Sequence, residues 1–273
     1  MTTVRETRIT RLFARLGAER GKAFIAYITA GDPSPAHTAS LVRGLERAGV
    51  DLVELGVPFS DPIADGPVIQ RASDRALRAG MTVARLLDIV CEIRRTSGIP
   101  LLLFSYLNPL LQYGFAKLAQ DAAKAGVDGA LLTDLPIEEA PAYAPTLRAQ
   151  GLDTVFLAAP TSNNARLHAI AEHSSGFIYL LSRLGTTGER ASFSGAAAPL
   201  AERLRRITNL PLAVGFGIAT PEHVREAAEI ADGIVVGSAI VSQIERAVSS
   251  EPEQLAAAVE KVVHQMLQPL RGL

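Results

Sequence analysis

The feature that most constrains this chain is a recurrence of eight short apolar runs, each closed by Gly, Pro, Ser or Asp. AFIAYIT begins at Ala23, DLVELG at Asp51, PLLLFSY at Pro100 and GALLTDLP at Gly129. TVFLAAP follows at Thr154, FIYLLS at Phe177, PLAVGFG at Pro211 and DGIVVGS at Asp232. Runs of this length, apolar at successive rather than alternate positions, read as strands buried on both faces, as in a parallel sheet. Between them, helical spacing appears over 40–48, 83–95, 115–125, 140–149, 165–173, 198–207 and 221–229. In the second of these, Val83, Leu86, Leu87 and Val90 form one apolar stripe, and Cys91 beside it is expected to be an inert buried thiol.

Eight strands alternating with helices close either as an open doubly wound sheet or as a barrel. The number eight, the fairly even spacing and the length of 273 residues favour a single (β/α)8 TIM barrel occupying 1–273 as one domain. Ile9, Leu12, Phe13 and Leu16 add an amphipathic helix at the N-terminus. The two widest gaps follow the second and sixth runs, so long loops are expected there on the C-terminal rim, where such barrels keep their chemistry.

Several partners are excluded by charge and composition. Lys+Arg is 27 against Asp+Glu 28, with no basic run, whereas affinity for nucleic acid rests on neutralising phosphates. Arg5, Glu6, Arg8, Arg11 and Arg15 break up the apolar residues of the N-terminus, leaving no secretory leader. No uncharged apolar stretch reaches the length of a membrane-spanning helix. A single cysteine rules out an internal disulfide and fits a reducing compartment, so a cytoplasmic protein is expected.

The densest chemical signal is ELGVPFSDPIADGP, Glu54 to Pro67. Side chains alternate along a strand, so if Val53 and Leu55 face the helices, Glu54 projects into the barrel mouth. A carboxyl there is desolvated, which raises its pKa and suits proton donation; the competing reading is a structural ion pair with a neighbouring strand. Asp61 and Asp65 follow in a Pro- and Gly-punctuated loop, where turn capping is the ordinary role of an aspartate. Asp65 stands eleven residues past Glu54, with no helix or strand of its own to fix it. A divalent metal site is a weak alternative for these carboxylates, which lack EF-hand spacing and have no His nearby. Glycine turns after the last two runs, GFG at 215–217 and GS at 237–238, fit backbone N–H binding of phosphate, with Ser238 adding a hydroxyl; strand-to-helix turns alone would also explain them. RLGTTGER, Arg183 to Arg190, reads as a closing lid hinged at Gly185 and Gly188, or else as a plain surface loop. GAERGKA at Gly17 fails as a Walker loop, GFGIAT lacks the third Gly of a dinucleotide fingerprint, and His168 and His173 are mis-spaced for a shared metal.

Together, ITAGDP, ELGVPFSDPIADGP, YLLSRLGTTG, PLAVGFGI and GSAIV resemble, in order and over essentially the whole chain, the tryptophan synthase α-subunit family. One departure is Thr186, where the family commonly has Val in GVTG. The resemblance implies retro-aldol cleavage of indole-3-glycerol phosphate to indole and glyceraldehyde 3-phosphate. It implies Glu54 as acid/base at indole C3 and at the side-chain hydroxyl, and Asp65 as the partner of the indole N–H. Tyr179 and Phe216 would line the indole site, and Thr187 would meet Asp65 on closure. Gly188, Gly217, Gly237 and Ser238 would hold the phosphate. No metal or organic cofactor is implied on this chain; the family's pyridoxal phosphate belongs to a partner β subunit in an αββα complex. PFSDP at 58–62 and YLNP at 106–109 are the candidate contacts with that partner. Two rivals stand beside this reading: another phosphate-binding barrel isomerase or decarboxylase, and a catalytically silent barrel that regulates a partner.

Overall fold

A computed structural model describes residues 6–181, 194–215 and 217–270. Nine parallel strand segments form its sheet: β1 (Ala23–Thr29), β2 (Leu52–Gly56), β3 (Leu101–Ser105), β4 (Gly129–Leu132), β5 (Asp153–Val155), β6 (Leu157–Ala158), β7 (Ile178–Leu181), β8 (Leu212–Gly215) and β9 (Gly233–Val236). Their order is β5-β4-β3-β2-β1-β9-β8-β7-β6. The two ends of that order, β5 and β6, are consecutive pieces of one run interrupted at Phe156, so the sheet returns to itself as an eight-position (β/α)8 barrel. The fifth run, expected to be continuous, is thus two short strands. Alternation survives the break: Val155 faces the barrel interior while the Phe156 ring packs into the outer core.

Two apolar cores follow from the alternation. Outward residues such as Phe24, Ala26, Ile28, Val53 and Leu55 pack against the surrounding helices. Inward residues, including Ile25, Tyr27, Leu52, Leu102, Phe104, Leu131, Phe177 and Tyr179, fill the barrel. The helix Arg8–Glu19, capped by the Thr7 side chain on the Thr10 N–H, plugs the base with Ile9, Leu12, Phe13 and Leu16. Phe13 stacks at a tilt on Phe177 with ring centroids 5.6 Å apart.

Three aspartates at the base each tie one strand to the next. Asp51 accepts from the Phe24 N–H at 2.9 Å, Asp128 from the Leu101 N–H at 2.9 Å and Asp232 from the Leu212 N–H at 2.8 Å. Each aspartate stands just ahead of one strand and caps the first free donor of its neighbour, a backbone group that would otherwise lack a partner. Arg94 completes the Asp128 site at 2.9 Å and donates to the carbonyls of Gly126 and Ile99.

One expectation is corrected here. Cys91 lies in the helix Val83–Arg94 but is exposed. The buried face is Leu86, Leu87, Ile89, Val90 and Ile93, and at roughly 100° per residue position 91 points about 130° from its centre, beyond the Leu87 edge. No helix among the described residues is long and apolar enough to cross a membrane.

Candidate active site

Glu54 sits on β2 with Leu52 facing inward, because Val53 and Leu55 face the helices. It pairs in register with Tyr27 of β1 and Leu102 of β3. The residue is 0% exposed, and among the described residues neither carboxyl oxygen has a hydrogen-bond partner. The ion pair with a neighbouring strand is therefore not found among them. Loss of water without compensation penalises the charged form, and burial pushes the Glu54 carboxyl up to about 8.

Aromatic rings surround this carboxyl. Tyr27 and Phe104 meet edge to face at 5.2 Å, and Phe104 and Tyr179 at 6.5 Å. Burial raises both phenols above their ordinary range, and the Glu54 charge adds to the shift in each. Space for the two tyrosines comes from glycine at the ends of β2 and β8: a Cβ at Gly56 would collide with Tyr27, and one at Gly215 with Tyr179.

Asp65 closes the loop after β2, two residues ahead of the helix Pro67–Arg78. It was expected to lack local support, yet two anchors hold it. The helix begins immediately beyond it, and the Tyr106 phenol binds the loop from the end of β3. That hydroxyl accepts from the Ala64 N–H at 2.9 Å and is hydrogen-bonded to the Asp65 carboxylate. Desolvation raises Asp65 to about 6, with the Tyr106 hydrogen bond opposing the rise. Tyr27 is not among the residues expected from sequence, and Tyr106 is expected only within YLNP, as a partner contact rather than as a support for Asp65. The inward alternation of Leu102 and Phe104, extended by one step, reaches Tyr106, and that of Ile25 reaches Tyr27.

Glu54, Asp65, Tyr27, Ile69, Phe104, Tyr179, Gly217, Gly237 and Ser238 line one cavity of about 110 Å³ at the C-terminal mouth. Gly217 has φ 84°, a conformation that L side chains seldom adopt. Ser238 is the first residue of the helix Ser238–Arg246, whose leading N–H groups have no partners within the helix. The carboxyls and the anion-compatible end therefore face one space. Thr187, Gly188 and Phe216, with the rest of the expected lid 183–190, lie outside the described residues. Roomier clefts exist, one of about 490 Å³ at the base, but its Arg8 and Arg94 are already paired with Asp128. No group of three or more His, Cys, Asp or Glu among the described residues is arranged to hold a metal ion.

Comparison with known proteins bears on this site. A family model described as tryptophan synthase alpha chain matches residues 13–270. The chain is 59% identical over 240 residues to the tryptophan synthase alpha chain of Solibacter usitatus, covering 88% of this chain and 90% of that one. It is 48% identical over 241 residues to that of Caulobacter vibrioides, covering 88% of each. The crystal structure of tryptophan synthase subunit alpha from Legionella pneumophila superposes with a TM-score of 0.86 at 39% identity, over 98% of this chain and 99% of that one.

Proposed function

The chain belongs to the tryptophan synthase alpha chain family, and from that premise we propose that it cleaves indole-3-glycerol phosphate to indole and glyceraldehyde 3-phosphate. Membership brings a lyase of tryptophan biosynthesis; the reaction and the roles below are our reading.

The observation that carries it is the pair of carboxyls held apart in acidity within one cavity, Glu54 at about 8 and Asp65 at about 6. Near neutral pH the first is mainly a neutral acid and the second mainly an anion, which assigns their tasks. Glu54 gives its proton to indole C3, and the ring becomes an iminium-like cation whose charge lies at the indole nitrogen. The Asp65 carboxylate accepts the indole N–H and stabilises that cation. The glycerol hydroxyl on the carbon attached to C3 then loses its proton to Glu54. Its C–O bond becomes a carbonyl, the C–C bond breaks, and that electron pair restores the aromatic ring. Glu54 ends with the proton it began with, so the cycle balances with no oxidant. Two proton transfers flank one C–C cleavage, and we assign this chain no metal or organic cofactor. Gly217, Gly237 and Ser238 would hold the phosphate. Thr187, Gly188 and Phe216 are proposed for closure, phosphate and indole contact on sequence resemblance alone.

We further propose a β subunit as the partner, carrying pyridoxal phosphate and docking on this rim in an αββα assembly. Ile63 is 85% exposed and Leu111 43% exposed, and between their segments Phe59 and Tyr106 stack at 5.2 Å. Exposed apolar side chains on the segments that follow β2 and β3 suit a partner that receives indole.

The test is indole release from indole-3-glycerol phosphate, measured with and without a β subunit. Wild type should release indole, faster with the partner. Glu54→Gln should fold and lose a factor on the order of 10² to 10⁴, the usual contribution of a general acid–base. A Glu54→Gln variant with most of its turnover intact would remove Glu54 from the mechanism. A wild-type chain that releases no indole in either condition would refute the activity.

A further inference from the structure

Outside the cavity, four charged side chains join three elements of the rim. Asp32, in the loop after β1, is 0% exposed. Its two carboxylate oxygens accept from Arg75 Nε at 2.7 Å and Nη2 at 2.9 Å, a planar fork meeting a planar acid. Arg75 also donates through Nη1 to Glu245 Oε1 at 2.8 Å. Arg71, one turn earlier on the same helix face, grips both oxygens of Glu245, from Nε at 2.7 Å and Nη2 at 2.8 Å. The two arginines hold the Glu245 carboxyl at about 2.

The elements they join are those that present the proposed chemistry. Arg71 and Arg75 belong to the helix Pro67–Arg78, which starts two residues beyond Asp65 and puts Ile69 into the cavity. Glu245 is in the last turn of the helix Ser238–Arg246, whose first turn carries Ser238 at the anion end. None of the four charged residues lines the cavity itself.

Partly buried ion pairs add little net stability compared with apolar packing; what a bidentate fork adds is fixed angle and register. Misplacing a reacting group by about 1 Å can cost on the order of 10²-fold in rate, so register between these two helices has a catalytic use. We infer that Arg75, Arg71 and Glu245 are positioning residues that lock the phosphate-binding helix to the Asp65-bearing segment, so that an anion bound at Ser238 sets the place where the indole N–H is received. This rests on the proposed reading of the site as one for indole and a glycerol phosphate.

The experiment uses the two halves of the substrate as separate probes, indole and glycerol 3-phosphate. Indole affinity is titrated with and without saturating glycerol 3-phosphate in wild type, Glu245→Gln and Arg71→Gln. Wild type should bind indole about fivefold or more tighter when glycerol 3-phosphate is present, a coupling that by linkage is reciprocal. In Glu245→Gln each probe alone should bind within about twofold of wild type while the coupling falls towards one, and kcat should drop more than KM rises. Arg71, with a side chain 54% exposed, can be changed to Gln without threatening the fold and should lose part of the coupling. A role in stability alone would lower the melting temperature and leave the coupling intact. Wild type that binds both probes with no coupling, or with coupling retained in both variants, overturns the inference. Wild type that binds neither probe overturns the reading of the site, and the inference falls with it.

Discussion

Replacing Glu54 by Gln should make this protein more stable, increasingly so as pH rises. The native carboxyl has its pKa raised from 4.5 to about 8 by burial alone. Between those values the unfolded chain has released the proton while the native chain still holds it. The native state therefore binds more protons, and stability falls with pH across the window. Stability attached to the neutral carboxyl is fully present below 4.5 and lost as pH rises through about 8. At ~1.4 kcal/mol per pH unit, the penalty reaches about 3 kcal/mol at pH 7 and about 4 kcal/mol at pH 8. Gln carries a neutral amide of similar shape, and its burial costs the same at every pH. Urea unfolding of both proteins at pH 5, 6, 7 and 8 isolates the effect, because every other titrating group cancels in the difference. The variant should gain about 3–4 kcal/mol over wild type from pH 5 to pH 8. A difference that stays constant across the series would mean that Glu54 is not held neutral, and its assignment as the proton donor would lose its physical basis.

The same two carboxyls predict a bell-shaped pH profile for indole formation. With Asp65 required as the anion and Glu54 as the acid, kcat/KM should fall below about 6 and above about 8; a profile flat from pH 5 to 9 would contradict both assignments. Tyr106→Phe keeps the ring against Phe59 but removes the hydrogen bond that lowers Asp65, so the acidic limb should move up and kcat should fall. An acidic limb left in place would detach Tyr106 from Asp65.

The parts legible in the sequence are those governed by burial of contiguous residues. All eight apolar runs lie in the barrel wall, and the parity of Leu52, Val53 and Leu55 was enough to aim Glu54 inward. The helix Pro67–Arg78 was not read, because its buried face is Ile69, Ala72, Ser73 and Ala76, small residues with little apolar contrast to Arg71, Arg75 and Arg78. The helix Leu107–Tyr113 spans only two turns, too short for a periodicity to declare itself. Support for Asp65 was invisible for another reason: Tyr106 reaches the loop from 42 positions away through a contact that only the closed barrel creates. The break at Phe156 belongs to the hydrogen-bond ladder, which leaves no mark on the apolar pattern. Cys91 shows the limit of a stripe read by eye, since being next to the stripe in sequence put it well off the buried face.

The helix that plugs the base has one more consequence. With Ile9, Leu12, Phe13 and Leu16 stoppering one end, the barrel is a flask rather than a tube. Among the described residues, the cavity that holds Glu54 lies at the opposite, C-terminal mouth, the neck through which solvent and product would pass. The burial that sets the acidity of that carboxyl and the way out for a product therefore belong to the same mouth. A partner seated across the neck would tune both together, keeping the flask dry while the proton is needed and choosing where its contents are poured.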